Sequence, residues 1–287
     1  PVTQGHEVSG EIVKLGKDAG NFYVGQKVTI QPQVVCGECY PCRHGKYNLC
    51  EKLKVMGFQT TGMASEYFVA DIDRVTPLPN NLSFDEGAMI EPLAVAVHAV
   101  KQFGDISEKQ VAVLGAGPIG ILVAQAAKAL GAKAVLITDI SDLRLQKAQE
   151  CGVDFVVNTK AENFGEAIGH CFGPDKADVI YDCAGNDLTM GQAIEYGRKG
   201  STIILVAVFA HMASLNLAVL NDKELSLNSS MMYRNEDYLE GIALVSAEKI
   251  QLKPLISAHF AFQDYGKAYA FIDTHRESTM KIIIDIG

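Results

Sequence analysis

The sequence has no apolar run near the roughly 20 residues that a helix needs to cross a bilayer. Its longest apolar run, around Thr202 to Ala210, has only the length of a strand. A membrane-spanning role is therefore not expected, and neither is a signal peptide. Positive charge is in short supply: 25 Lys and Arg stand against 34 Asp and Glu, a net charge of −9. That balance argues against a nucleic-acid partner, whose phosphates call for a basic surface. The seven cysteines are not dispersed as a disulfide framework requires. They are clustered, which suits a reducing compartment, with the cytoplasm as the default. What the chain does have is apolar content, 48% hydrophobic against 21% charged residues, enough for an ample core. At 287 residues it exceeds what one compact core usually covers, so two domains are expected.

The stretch from Val111 to Asp139 organises the rest. Val111 to Leu114 is a fully apolar segment with the composition of a strand buried on both faces. It runs into Gly115-Ala-Gly117-Pro118-Ile119-Gly120, a G-x-G-x-x-G. The first glycine permits a tight turn, the second lets backbone approach a pyrophosphate, and the third allows helix to pack on strand. A helix from Pro118 to about Leu130 aims its N-terminal amides at that phosphate, and Gly131 closes it. A second strand, Ala134 to Thr138, ends in Asp139, about twenty residues past the glycines, where an acid accepts hydrogen bonds from the adenosine ribose. A carboxylate there repels a ribose 2′-phosphate and favours NAD over NADP. Arg144, close behind, is placed to offset that repulsion or to lie over the adenine.

Cys36, Cys39, Cys42 and Cys50 form C-x2-C-x2-C-x7-C in a loop rich in glycine, proline and charge. Four thiolates at such spacing close tetrahedrally around one Zn²⁺ and leave no position for substrate, so a structural site is expected. An iron–sulfur cluster is the runner-up. A zinc ribbon for nucleic acid is disfavoured by the acidic charge and the lack of a basic, aromatic-studded flank. Upstream, Gly5-His6-Glu7 heads an alternating segment with strand character from Val8 to Leu15, and Asn21 to Ile30 continues in that style.

Beyond the cysteines, Glu66 to Val69 reads as a strand and Asp71 to Pro79 as a loop. Ser83-x-x-Glu86 is a capping box opening a short helix; a second helix runs from Glu91 to about Val100, with His98 packed on it. After Asp139, helices at 142–151, 161–171 and 188–196 alternate with strands at 154–158, 177–182 and 202–208. That alternation predicts a doubly wound α/β sheet. Tyr238 to Ser246 reads as a helix and Met280 to Ile286 as a closing strand.

Taken in order, Gly5-His6-Glu7, the four-cysteine lobe, Gly62-Met-Ala-Ser-Glu66-Tyr67, Glu86-Gly-Ala-Met-Ile-Glu91-Pro92 and the glycine fingerprint resemble the zinc-dependent medium-chain dehydrogenases. The similarity is greatest to the sorbitol (L-iditol) dehydrogenase branch and its threonine and butanediol relatives. The resemblance implies a β-rich GroES-like catalytic domain built from residues 1–85 and 255–287, carrying the zinc lobe at 36–50. A Rossmann NAD-binding domain at 86–254 is inserted between these parts. It implies NAD, one catalytic and one structural zinc, a small alcohol substrate, and a homo-oligomer with a tetramer favoured over a dimer. The expected reaction takes hydride from a secondary alcohol of a polyol to NAD. Threonine or 2,3-butanediol oxidation, or a non-catalytic NAD-binding relative, are the alternatives.

By the same resemblance, His6, Glu7 and Glu91 match catalytic zinc ligands. Val206, Ala207 and Val208 match backbone contacts on the nicotinamide side, and Met232, Tyr233 and Arg234 match a later cofactor-contacting strand. Arg234 also matches an arginine that reaches substrate, while Asn235 stands where sorbitol dehydrogenases commonly have tyrosine. The family's remaining catalytic ligand is a cysteine upstream of the Gly-His-Glu, in a segment that also carries a proton-relay histidine. Pro1 stands only four residues before Gly5, so the expectation is that the natural chain begins earlier. Cys151, Cys171 and Cys183 are poor substitutes for that ligand.

Overall fold

The computed structural model describes residues 1–287, which form two compact units. One comprises Pro1–Ala94, Met232–Asp273 and Ile282–Gly287; the other comprises Val95–Met231 and Thr274–Lys281.

The second unit is built on a parallel sheet of six strands, Gln110–Leu114 (β1), Ala134–Asp139 (β2), Phe155–Asn158 (β3), Val179–Asp182 (β4), Thr202–Leu205 (β5) and Ser226–Ser229 (β6). Their spatial order is β6-β5-β4-β1-β2-β3. Val111 to Leu114 are fully buried, as the central strand of a sheet covered on both faces must be. Helix Pro118–Ala129 buries every residue from Gly120 to Ala127. Phe164, Ile168, Met190 and Ile194, from helices Phe164–Phe172 and Asp187–Tyr196, close the core against Ala112, Leu136, Ile180 and Ile203. Each such side chain contributes roughly 1.5–3 kcal/mol relative to exposure. Because β1 pairs with both β2 and β4, the strand order reverses there, and the crevice at the carboxyl ends of these strands is where open α/β sheets bind ligands.

Two strand readings are corrected in this region. β5 ends at Leu205 rather than Val208, because the amides of Val206 and Ala207 both turn back to the Asp182 carbonyl. Val208 is left 92% exposed. Met232 to Arg234 is not a strand either. The sheet ends with β6 upstream, Met232 adopts a left-handed φ of 53°, and Arg234 is the N-cap of helix Asn235–Ser246.

The first unit is β-rich. Ser9–Glu11, Lys27–Ile30 and Val75–Pro77 form an antiparallel sheet with Lys27–Ile30 in the middle. Gln33–Val34 pairs with Lys54–Val55, and Ile256–Ala261 with Lys281–Asp285. Val75–Pro77 lies in a stretch expected to be loop; its proline sits at the end of an edge strand, where a missing N–H is tolerated. Glu66 to Val69, by contrast, is not a strand: no strand of the chain pairs with it, and Tyr67 and Val69 are 74% and 95% exposed. The capping box forms as expected. Ser83 Oγ accepts from the Glu86 amide at 3.2 Å, and Glu86 Oε2 accepts from the Ser83 amide at 2.9 Å. Ser83→Ala is expected to cost about 1 kcal/mol, read as a lower denaturant midpoint with unchanged slope. His98 is buried, its Nε2 3.1 Å from the Gln102 amide nitrogen.

Candidate functional site

The cysteine lobe is held by one helical turn, Tyr40–Arg43, and a tighter one, Tyr47–Leu49. These turns bring the sulfurs of Cys36, Cys39, Cys42 and Cys50 within 4.8 Å of one another. A tetrahedral Zn²⁺ with Zn–S bonds of about 2.3 Å spaces its sulfurs about 3.8 Å apart. The Cys36–Cys50 and Cys39–Cys50 separations are 3.5 and 3.9 Å. Backbone amides already point at the sulfurs, Cys39 N–H at Cys36 Sγ (3.4 Å), and Cys36 N–H and Lys52 N–H at Cys50 Sγ (both 3.3 Å). At Cys36 such donors favour thiolate over thiol, whereas burial and the neighbouring sulfurs push the Cys42 thiol up to about 12. Hydrogen bonds from the Glu38 and Cys39 amides hold Cys36 down at about 6. The donor set fits a closed four-sulfur zinc site.

The second cluster joins His6, Glu7 and Glu91, whose ligand atoms also lie within 4.8 Å of one another. His6 Nε2 is 3.8 Å from Glu7 Oε1, near the roughly 3.4 Å expected between donors about 2.1 Å from one zinc. The loop carrying His6 is set by three glycines. Gly5 has φ +93°, and a Cβ on it would meet the Ala64 nitrogen at 2.8 Å. A Cβ on Gly57 would lie 2.8 Å from the Gly5 carbonyl oxygen, and one on Gly62 2.4 Å from that of Gln4. Residues 3–5 are stitched to 62–64 by backbone bonds, Gly62 N–H to Thr3, Met63 N–H to Gly5 and Ala64 N–H to Gln4. The Phe58 ring rests 4.9 Å from the imidazole.

Glu91 comes from the first turn of helix Ile90–Lys101 and is only 4% exposed. The Tyr233 hydroxyl donates to its Oε1 at 3.0 Å. Burial, and next the Glu91 charge, push the Tyr233 phenol well above its usual range, so it stays a donor. This contact could not be found in the sequence, where Tyr233 is expected on the cofactor side. Arg234 pairs through Nε with Glu236 Oε1 at 3.1 Å. One imidazole and two carboxylates form a hard, mixed N/O donor set that leaves a cation an open position.

In the sheet unit the glycine turn shows what each residue is for. Gly115 has φ +99°. A Cβ on Gly120 would lie 1.8 Å from the Gly115 carbonyl oxygen, so only glycine fits. Gly117 differs: its φ is an ordinary −71°, and a Cβ there would meet nothing within 4 Å. Glycine at that position answers to no contact within the chain. It leaves a vacant cradle at the start of a helix, as a pyrophosphate requires. Pro118 opens that helix, followed by a half-buried Ile119. Asp139 Oδ2 accepts from the Ala116 amide at 2.7 Å, and Oδ1 accepts from Ile140 and Ser141 at 2.8 and 2.9 Å. With Ser141, Arg144, Lys160 and Glu277 it lines an open cleft of about 380 Å³. Arg144 is anchored by donating to the Arg276 carbonyl. The Val206–Val208 loop abuts Gly185, whose Cβ would meet that of Ala207 at 2.7 Å.

Sequence inspection passed over Asp182. It is fully buried at the end of β4, and its Oδ1 accepts from the Ala184 and Gly185 amides and from Thr189 Oγ1. Burial raises its pKa. The Asp-x-x-Gly spacing was the available signal for an acid folding the loop after β4 onto itself.

Family models match the chain in two stretches, an alcohol dehydrogenase GroES-like domain over residues 1–80 and a zinc-binding dehydrogenase over residues 118–247. Sorbitol dehydrogenase 1 of Saccharomyces cerevisiae is 33% identical over 99% of this chain and 82% of its own length. An alcohol dehydrogenase from Escherichia coli CFT073, crystallised with NADH, superposes with a TM-score of 0.89 at 31% identity, over 97% of this chain and 82% of that one. A zinc-binding dehydrogenase from Sinorhizobium meliloti 1021, bound to NADP, has a TM-score of 0.89 at 26% identity, over 99% and 83%.

Proposed function

Because the chain belongs to the zinc-binding alcohol dehydrogenase family, we propose that it oxidises a secondary alcohol of a polyol, such as sorbitol or L-iditol, to the ketone, with NAD taking the hydride. The observation that carries this reading is the convergence of His6, Glu7 and Glu91 within 4.8 Å. These three residues hold the catalytic zinc, and Cys36, Cys39, Cys42 and Cys50 hold the structural one. The catalytic zinc supplies Lewis acidity that makes an alcohol hydroxyl easier to deprotonate. His6 and Glu7 come from one backbone turn and Glu91 from a helix, so the donors are fixed before substrate arrives. In the sheet unit, Gly115, Gly117, Pro118, Ile119 and Gly120 cradle the pyrophosphate. Asp139 and Arg144 take the adenosine end, and Val206, Ala207 and Val208 the nicotinamide end. Asp139 supports NAD over NADP, since its Oδ2 accepts only one backbone hydrogen bond, which leaves it a lone pair for a ribose hydroxyl, and its charge repels a 2′-phosphate.

The test is a panel of sorbitol, xylitol, threonine and 2,3-butanediol, followed by NADH formation. Sorbitol and xylitol are expected to be oxidised; activity on none of the four sinks the assignment. Arg234 is assigned to the substrate side, with its guanidinium paired to Glu236. We further place the protein in the cytoplasm, as the gathered free cysteines suggest, and as a homo-tetramer, which light scattering would check.

Removing one structural thiolate gives a separate prediction. Cys50→Ser is expected to lower zinc content from about two to about one per chain and to make the 36–50 loop sensitive to protease, since that loop has little core of its own. Retention of both metals by the variant contradicts the assignment of this site.

A further inference from the structure

Tyr233 has no exposed surface, and its ring lies 5.5 Å from that of Tyr238, also fully buried. Phenylalanine would fill the same space, so the hydroxyl needs its own account. That hydroxyl donates to Glu91 Oε1 at 3.0 Å, across 142 residues of sequence. The backbone around it is pinned at several points. Gln33 Nε2 donates to the Tyr233 carbonyl at 2.9 Å, the Asn235 amide donates to Tyr47 Oη, and Gln31 Nε2 donates to Asn235 Oδ1 at 2.7 Å. Met232, immediately before, holds the left-handed φ of 53° that few side chains adopt. The segment is thus built to deliver one phenol to one carboxylate.

We propose that Tyr233 is a positioning residue of the catalytic metal centre. Its hydroxyl engages Oε1 of Glu91 and fixes the orientation of that carboxylate within the cluster. The inference rests on the assignment of His6, Glu7 and Glu91 as a ligand set. A hydrogen-bonded phenol draws charge from the carboxylate and holds its orientation, so Tyr233 would tune how strongly that ligand binds a cation. Tyr47, which lies between Cys42 and Cys50, holds the same segment from the cysteine lobe.

The test compares Tyr233→Phe with Tyr238→Phe. The second variant deletes another buried phenolic hydroxyl, one that bonds Thr29 Oγ1 at 2.6 Å rather than Glu91. Zinc loss to a chromophoric chelator is followed in each, with the visible bands of the Co²⁺-substituted protein as a second readout. Y233F is expected to hold the catalytic metal about 10- to 100-fold more weakly and to shift the cobalt bands of the N/O site, with the four-cysteine metal retained. Y238F is expected to lower the thermal midpoint and leave both readouts as in the wild type. Wild-type metal retention by Y233F, or equal losses in both variants, overturns the proposal. Glu91→Ala separates the two levels: it is expected to release the same zinc, and adding Y233F to it should cause no further loss. Full retention by E91A removes the ligand assignment itself. Loss in E91A with no loss in Y233F removes only the role of Tyr233.

Discussion

Gly120→Ala is expected to abolish NADH binding and to destabilise the sheet unit, whereas Gly117→Ala is expected to weaken NADH binding with no loss of stability. The contrast follows from what each added methyl meets. At Gly120 it would sit 1.8 Å from the Gly115 carbonyl oxygen, and backbone cannot yield there without opening the turn. Overpacking of that kind costs roughly 1–3 kcal/mol, occasionally more, and the displaced turn no longer presents its amides. At Gly117 the methyl meets no protein atom within 4 Å and the backbone is in an ordinary extended conformation. The fold is therefore indifferent, and the methyl enters the volume proposed for a pyrophosphate. Binding should fall roughly ten- to hundredfold for about 1–3 kcal/mol of lost contact. Fluorescence titration with NADH and a thermal melt on each variant check both halves. Unchanged affinity in Gly117→Ala would mean that the cradle is not a phosphate site.

His6→Ala should lower kcat/KM by about 10³-fold and leave NADH affinity as it was. The imidazole contributes the one nitrogen donor of the cluster, and without it two carboxylates hold the cation poorly. Lewis-acid activation is worth several kcal/mol, and each 1.36 kcal/mol is a factor of ten in rate. Because the glycine turn and Asp139, proposed to carry the dinucleotide, belong to the other compact unit, cofactor titration should not register the change. A variant that retains more than a tenth of the activity on the preferred substrate would show that this cluster is not where the alcohol is activated.

The parts of this molecule legible in the sequence are those whose physics is local. The glycine turn, Asp139 and the alternating strands and helices are written within one βαβ stretch, and the four cysteines within one loop. The capping box at Ser83 forms for the same reason. Where pairing partners decide the outcome, local pattern misleads. Glu66 to Val69 has strand composition but no strand beside it, and Val75–Pro77, bracketed by prolines and polar residues, is a strand because Lys27–Ile30 supplies its partner. The run from Thr202 stays apolar past Leu205, yet the Asp182 carbonyl captures the next two amides and ends the strand. The Tyr233–Glu91 bond was the least accessible of all. Neither residue advertises the other, and 142 residues of chain separate them.

Asp139 accepts three backbone hydrogen bonds, one from the glycine turn and two from the residues after its own strand. The carboxylate proposed to read the ribose therefore also ties the turn in place, and a change of nucleotide preference at this position would bring a change of loop geometry with it. A one-step exchange of Asp139 for a residue that welcomes a 2′-phosphate would strip the Ala116 amide of its acceptor as it changed the charge. Laboratory redesign toward the phosphorylated cofactor, or drift toward it by mutation, has to repair the turn before it can profit from the new specificity.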